Sequence, residues 1–265
     1  MLNKFKSELS FLVELCKLNV SAAMEFRFSF ITQIIWTFIN NAIYFIFWLI
    51  FFERFPEVGG YSLENTILLF AVVTTGFGIA FFFFGQCSQL ANVITEGRLD
   101  YYLSYPKNLI LHIIASRSSM SAFGDILFGI MAFIFVGHIS ITSILLWITV
   151  CLLVSLIFVG FYILVGSLSF WLGNSQPLTD VAGSSLLTFA LYPNGIFKFY
   201  TKLILLTIIP SIFVGYVPVE IIKQFDAKLL GYLGAFALFI IFISIKVFYW
   251  GLKKYESSNT IKLNN

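Results

Sequence analysis

Apolar residues along this chain gather into blocks separated by short polar intervals. A membrane-crossing helix needs about 20 predominantly apolar residues. Blocks of that kind run from about Phe28 to Phe52, Leu63 to Gly85, Ser118 to Val136, Ser143 to Leu172 and Leu229 to Trp250. The breaks carry turn chemistry: Pro56, Gly59 and Gly60 lie between the first two blocks, and a tight turn spans His138 to Thr142. Residues 1–27 read differently. Phe5, Leu9, Leu12, Leu15 and Leu18 recur at three- and four-residue spacings, with Lys4, Glu8, Glu14 and Lys17 mostly elsewhere around the wheel. That pattern predicts an amphipathic helix lying along the membrane surface, packed on a protein partner, or both.

From Asp180 to Glu220 the chain is apolar but broken by Pro193, Gly195, Pro210, Gly215 and Pro218, with Lys198 and Lys202 in its middle. One uninterrupted helix cannot carry that. Charge asymmetry chooses how often the region crosses. If it crosses once, as a fifth span over 180–197, and then dips back over 198–220, both termini share a side. That side then carries Lys4, Lys6, Lys17, Arg27, Arg98, Lys107, Arg117, Lys246, Lys253, Lys254 and Lys262, which is 11 of the 16 basic residues. Arg54, Lys198, Lys202, Lys223 and Lys228 lie opposite. Two crossings would put the basic C-terminal end, 251–265, on the wrong side. The expected fold is therefore all-α and polytopic: an interface helix, six transmembrane helices, and a re-entrant segment before the last span near Thr201 to Val217, tolerable where protein or a cavity satisfies the freed backbone groups.

Composition agrees that lipid is the solvent. The 265 residues are 59% hydrophobic and 11% charged, with a mean hydropathy of +0.94, against roughly 45–50% and 25% in soluble domains. A net charge of +3, with cations beside apolar spans, gives no basis for nucleic-acid binding. Cys16, Cys87 and Cys151 are too widely spaced for a zinc site or a disulfide framework. The N-terminus lacks a cleavable signal pattern, so no cleaved signal peptide is expected. No GxxxxGK[ST], HExxH or GxSxG motif occurs, and with His112 and His138 as the histidines, catalysis within this chain is not expected.

The interval 86–117 between the second and third spans carries the most information. Cys87 to Thr95 places Leu90, Val93 and Ile94 on one helical face, Gly97 offers a chain reversal, and Leu99, Tyr102 and Leu103 form a second apolar face that Pro106 ends. Such a short amphipathic pair either fits a groove in a soluble partner or merely connects spans. The run from Ile94 to Pro106, with its Gly97, Leu99-Asp100 pair and Leu103, resembles the segment after the second span in permeases of the ABC-2 type family. The N-terminal helix, the six-span plan and the broken region resemble that family too, so the likeness covers essentially the whole chain. The run from Tyr192-Pro193 through Pro210 to Pro218 is most similar to a bacterial subgroup with two different permeases beside one ATPase.

The resemblance implies a permease subunit of an ATP-binding-cassette exporter in the bacterial cytoplasmic membrane, with both termini cytoplasmic. It implies two copies of an ATPase subunit and a second permease, more often a different chain than a copy of this one. It implies no cofactor in this chain, with ATP and Mg on the partner ATPase. The coupling set it implies has Leu90, Val93, Ile94, Leu99 and Leu103 docking on the ATPase and Glu96, Arg98 and Asp100 fixing register, with Gly97 and Tyr102 in the same segment. Substrate then moves by alternating access. Gln33, Asn40 and Asn41 in the first span and Asp125 in the third are intramembrane polar residues that either line a pathway or hydrogen-bond neighbouring helices. The run Phe81 to Phe84 covers all sides of a helix, so packing accounts for most of it. A secondary transporter would show internal repeats and a polar midplane site, and a membrane scaffold or immunity subunit would need the same spans; both remain as other readings.

Overall fold

The computed structural model describes residues 2–137 and 139–255. His138, Lys262 and the side chains of Lys4 and Phe5 lie outside the described residues. Among the described residues the regular structure is helical, with no strand. A helix α1 (Leu2–Glu25) leads into α2 (Arg27–Arg54), and α3 (Leu63–Phe84) follows a loop. Three short helices, α4 (Leu90–Thr95), α5 (Leu99–Leu103) and α6 (Leu109–Ala115), separate α3 from α7 (Ala122–Val136). Next come α8 (Ile141–Gly166), α9 (Ser169–Leu172) and α10 (Gln176–Ala190), then α11 (Phe199–Thr207), α12 (Ser211–Val214), α13 (Tyr216–Lys223) and α14 (Ala227–Leu252).

Helices α3, α8 and α14 begin where a side chain can accept from their free N–H groups. Ser62 accepts from Asn65 N–H, Ser140 from Ser143 N–H, and Asp226 from the N–H groups of Lys228 and Leu229. α10 starts four residues before the expected 180–197 segment, with Pro177 in its first turn, and ends ahead of Pro193. The third block starts later than its apolar run, because residues 117–121 form a turn held to the end of α3. Gln86 N–H donates to the Arg117 carbonyl at 3.0 Å and Ser119 N–H to the Phe81 carbonyl at 2.9 Å.

Side-chain pairing fixes the directions of the helices. Ser119 meets Phe81 while Gly129 lies against Thr75 and Ala71, so α7 runs antiparallel to α3. Cys151 lies beside Val72, Phe158 beside Phe77 and Tyr162 beside Phe81, so α8 runs parallel to α3. Gly160 packs on Ile240 and Phe170 on Phe248, so α14 runs parallel to α8. Phe38 meets Phe128 and Phe45 meets Phe135, which makes α2 parallel to α7. α10 begins beside Ser88 and ends where Gly215 touches both Ala190 and Leu69, antiparallel to α3. The start of α2 therefore lies at the same end of the bundle as the ends of α3, α8 and α14. At the other end, Tyr216 meets Tyr61 and Gly195 meets Gly59, which seats α11–α13 over the α2–α3 loop.

By length and hydropathy four helical stretches can cross a membrane: Arg27–Arg54, Leu63–Thr95, Ile141–Leu172 and Ala227–Leu252. The pair Phe199–Thr207 and Ser211–Lys223, bent by 75° where Pro210 breaks the ladder, makes a fifth if it crosses as one. That is fewer than the six expected. α7 is apolar but has 15 residues, roughly 22 Å at 1.5 Å per residue against a hydrocarbon core of about 30 Å.

Of the crossing window in α3, 72% is buried, against 11% in α2 and 22% in α14. α3 is thus the centre of the bundle, and α2 turns Ile31, Ile35, Trp36, Ile43 and Ile50 outward, which is tolerable only with lipid or another membrane protein beside it. The Phe81–Phe84 run packs all round: Phe81 on Phe77 and Tyr162, Phe82 on Phe123, with Phe83 turned outward.

The α3–α7 contact depends on a missing side chain. A Cβ at Gly129 would overlap Thr75 Oγ1 and press on the Ala71 carbonyl, whereas one at Gly231 in α14 would meet nothing. Gly129→Val should destabilise the protein by about 1–3 kcal/mol through overpacking. Gly231→Ala should be neutral or stabilise it by up to about 1 kcal/mol. Thermal unfolding of the purified chain in mild detergent checks both, and equal behaviour of the two variants would refute the close approach.

Candidate functional site

At the end of the bundle shared by the start of α2 and the ends of α3, α8 and α14, the chain from Gly85 to Arg117 forms a folded cap. A 3-10 turn, Gly85–Gln89, carries α3 into α4. α4 ends in a Schellman motif: Gly97 has φ +72°, Gly97 N–H donates to the Ile94 carbonyl at 3.3 Å, and Arg98 N–H donates to the Val93 carbonyl at 3.1 Å. This reversal sends α5 back beside α6, where Tyr102 OH and Ser116 Oγ hydrogen-bond at 3.0 Å.

Gln176, buried at the start of α10, holds α4 in place. Its Nε2 donates to the Ser88 carbonyl and to Asp180 Oδ1, both at 2.8 Å, and its Oε1 accepts from Asn92 N–H at 3.3 Å. Beyond α14, Tyr255 OH donates to Asp100 Oδ1 at 3.1 Å. Burial, with the Asp100 carboxylate beside it, pushes the Tyr255 hydroxyl up to about 12, so it stays a donor.

α1 is fastened to the same cap. Lys107 Nζ donates to Ser7 Oγ at 2.9 Å and sits 5.0 Å from the Phe11 ring centre. Asn19 Nδ2 donates to the Ala115 carbonyl at 3.1 Å and to Ser118 Oγ at 3.2 Å. Between these contacts the His112 ring is enclosed edge-to-face by Phe11, Tyr102 and Tyr105, at 5.0, 5.0 and 5.2 Å. Burial lowers the His112 pKa below its ordinary value, and the Glu8 carboxylate opposes that shift. Of the apolar α1 residues read from the sequence, Leu12 and Leu15 are partly buried, while Leu9 and Leu18 face outward.

The residues read as the coupling set are brought together, but most turn inward. Leu90, Val93, Ile94 and Leu99 are buried against this chain's own helices, with Leu90 packed on Gly166 of α8. In this arrangement they cannot touch a soluble partner: their amphipathic face anchors the cap to the spans. Asp100 faces Tyr255 and Tyr102 faces Ser116 and His112. The outward surface is made by Glu96, Arg98, Tyr101, Leu103 and Tyr105. Arg98 Nε and Glu96 Oε2 pair at 2.7 Å with both side chains about half exposed, so the pair contributes at most about 1 kcal/mol and serves register more than stability. The Tyr101 and Tyr105 rings pack at 5.1 Å, inclined by 59°, on the same outward surface as Leu103, and of these three only Leu103 belongs to the set read from the sequence. Tyr101 lies two residues after Leu99, more than half a helical turn round at 3.6 residues per turn, so burying Leu99 turns Tyr101 outward.

The intramembrane polar residues separate into distinct places. Asn41 Nδ2 donates to buried Asp125 Oδ1 at 2.6 Å, a bond between α2 and α7. Asn40 and Asn41 both line a cleft of about 610 Å³ between α2 and α10, walled by Tyr44, Phe47, Trp48, Thr188 and Tyr192. Gln33 is exposed near the start of α2 and donates to Ser29 Oγ at 3.0 Å, away from that cleft. Among the described residues no three His, Cys, Asp or Glu side chains gather as metal ligands would.

No curated protein and no solved structure matches the chain. A family model described as ABC-2 family transporter protein matches residues 38–259, from the middle of α2 through the cap to the region after α14. Since that match covers most of the chain, including the buried spans and the helical cap between them, the protein belongs to the ABC-2 transporter family.

Proposed function

We propose that this chain, the membrane component of an ABC transporter, is a permease subunit of an exporter in the bacterial cytoplasmic membrane, and that its helical cap is the surface on which the ABC ATPase pushes. The observation that carries this reading is the cap itself. α1, α5, α6 and the region after α14 come together at one end of the bundle through Lys107–Ser7, Asn19–Ala115 and Tyr255–Asp100, leaving Tyr101, Leu103 and Tyr105 outward. An exposed aromatic cluster with a charged rim is the composition that anchors protein interfaces.

In this reading the chain crosses six times, by α2, α3, α7, α8, α10 and α14, with α11–α13 re-entrant at the far side and α1 at the interface. The alternation of helix directions supports it, because α3, α8 and α14 run parallel and each needs a return path between them. Residues 117–121 and 191–192 would complete the crossings that α7 and α10 make too short. The cap and both termini are then cytoplasmic, as the basic residues favour. Two ATPase copies carry ATP and Mg, and a second permease faces the exposed side of α2. The α2–α10 cleft, with amides amid aromatic rings, suits an amphipathic substrate, and Asp125 orients the Asn41 amide at its edge. Closure of the ATPase would tilt the cap and the helices fixed to it, moving the permease between inward- and outward-open states that bind substrate unequally.

Tyr101→Asp combined with Leu103→Asp should abolish recovery of the ATPase with tagged permease, while the permease still inserts at normal levels. Leu99→Asp should instead deplete the permease itself, because it buries a carboxylate in the core. Undiminished ATPase recovery from the double variant would overturn the assignment and favour a scaffold. The His112 contact adds a pH dependence. A histidine held neutral by burial contributes its full stability above about pH 6.5 and loses it as pH falls below that value. Acidification from pH 7.5 to 5.5 should therefore lower the amide protection factors of residues 8–19, once the slower intrinsic exchange at acid pH is divided out, and His112→Phe should remove most of the effect. An identical response in His112→Phe would show that His112 is not the sensor.

A further inference from the structure

A second cavity plays no part in the ATPase surface or the aromatic cleft. It is a polar cleft of about 540 Å³ between α1, the start of α2, the end of α3 and the approach to α7, lined by Asn19, Gln33, Ser88, Gln89, Arg117 and Ser119, among others. Its walls are fixed. Residues 117 and 119 are bonded to Gln86 and Phe81, and Asn19 bonds across to Ala115 and Ser118. Among the described residues the Arg117 guanidinium has no ion pair or hydrogen bond, and no carboxylate lines the cleft. A lone cation ringed by hydroxyl and amide groups is a complement for a phosphate, which the guanidinium fork can hold through two hydrogen bonds.

The depth of the cleft says where that phosphate comes from. Gln33 lies within the first two turns of α2 and Ser88 just past the end of α3, both of them crossing helices, so the cleft sits at the boundary between hydrocarbon and water. The same helix α1 also borders an apolar groove of about 570 Å³, lined by Leu9, Leu12, Val13, Val20, Phe83 and Phe84. Ala115, at the edge of that groove, is two residues from Arg117. We infer that this cleft binds the phosphate of an anionic membrane phospholipid, fixed by Arg117, with an acyl chain lying along the α1 groove. Basic pockets between membrane helices near the bilayer surface bind anionic head groups by this physics. A lipid held there would wedge α1 against α2 and α3.

Lipid binding to the purified full chain in mild detergent tests this without any ATPase present. Dioctanoyl phosphatidylglycerol is titrated by native mass spectrometry, with dioctanoylglycerol as the analogue lacking phosphate and inorganic phosphate as the competitor. One tightly bound phosphatidylglycerol is expected, weakened roughly tenfold or more in Arg117→Gln by loss of the charge-assisted bonds, with Arg117→Lys intermediate. Ala22→Glu, which places a carboxylate in the same cleft from exposed α1, should weaken binding as well and serves if Arg117→Gln does not fold. Equal affinity in the wild type and in these variants would overturn the inference, as would equal binding of dioctanoylglycerol. Displacement of the lipid by an equal concentration of inorganic phosphate would contradict a lipid source and assign the cleft to a soluble anion.

Discussion

α3 is enclosed along most of its length, by α7 on one side and α8 on the other, and the position of each functional element follows from that enclosure. In lipid no hydrophobic force drives helices together, so close packing and the fit of small residues must supply the association. Gly129 lets α7 approach Thr75 and Ala71, and Val154 and Phe158 of α8 pack on the opposite flank at Gly76 and Phe77. Once α3 is fixed between them, its end is fixed too, and the turn through Gly85–Gln89 into α4 has one place to go. Leu90, Val93 and Ile94 then wedge under α8, α9 and α10, and the Gly97 reversal delivers α5 to the surface.

The cap therefore works as an extension of the spans. Its buried face belongs to the membrane domain and its outer face is free to meet something else. Gln176 ties α4 to α10, Tyr255 ties α5 to the end of α14, and Lys107 ties the approach to α6 to α1. A push on the cap is thereby shared among α1, α10 and α14. α2 and α14 present most of their apolar surface outward, so they can shift against their surroundings at lower cost than α3 can shift within the core.

Much of this was legible in the sequence, for identifiable reasons. Block lengths pointed to the four long apolar stretches around α2, α3, α8 and α14, while the third block holds only the 15-residue α7; Gly97 announced the reversal because a positive φ there favours glycine. Pro210 announced the bend between α11 and α12. The orientation of the cap was not legible, because an amphipathic face shows that something must cover it without saying what. Leu90, Val93, Ile94 and Leu99 are covered by this chain, and 3.6-residue periodicity is the same whether the cover is a span or a partner. The start of α10 at Gln176 was readable in principle from Pro177, since proline favours a first helical turn. The roles of Gln176 and His112 depend on contacts across more than 80 residues, which no local pattern encodes.

In the proposed assembly the cap end of the bundle meets the ATPase and the far end does not. A photo-reactive amino acid placed at Tyr101 and, separately, at Tyr200 in α11 measures this directly, since both side chains are exposed at opposite ends of the chain's helical bundle. Cross-linking of a nucleotide-binding subunit from position 101, and none from position 200, is expected. Capture from position 200, or from neither position while the ATPase remains bound, would contradict it.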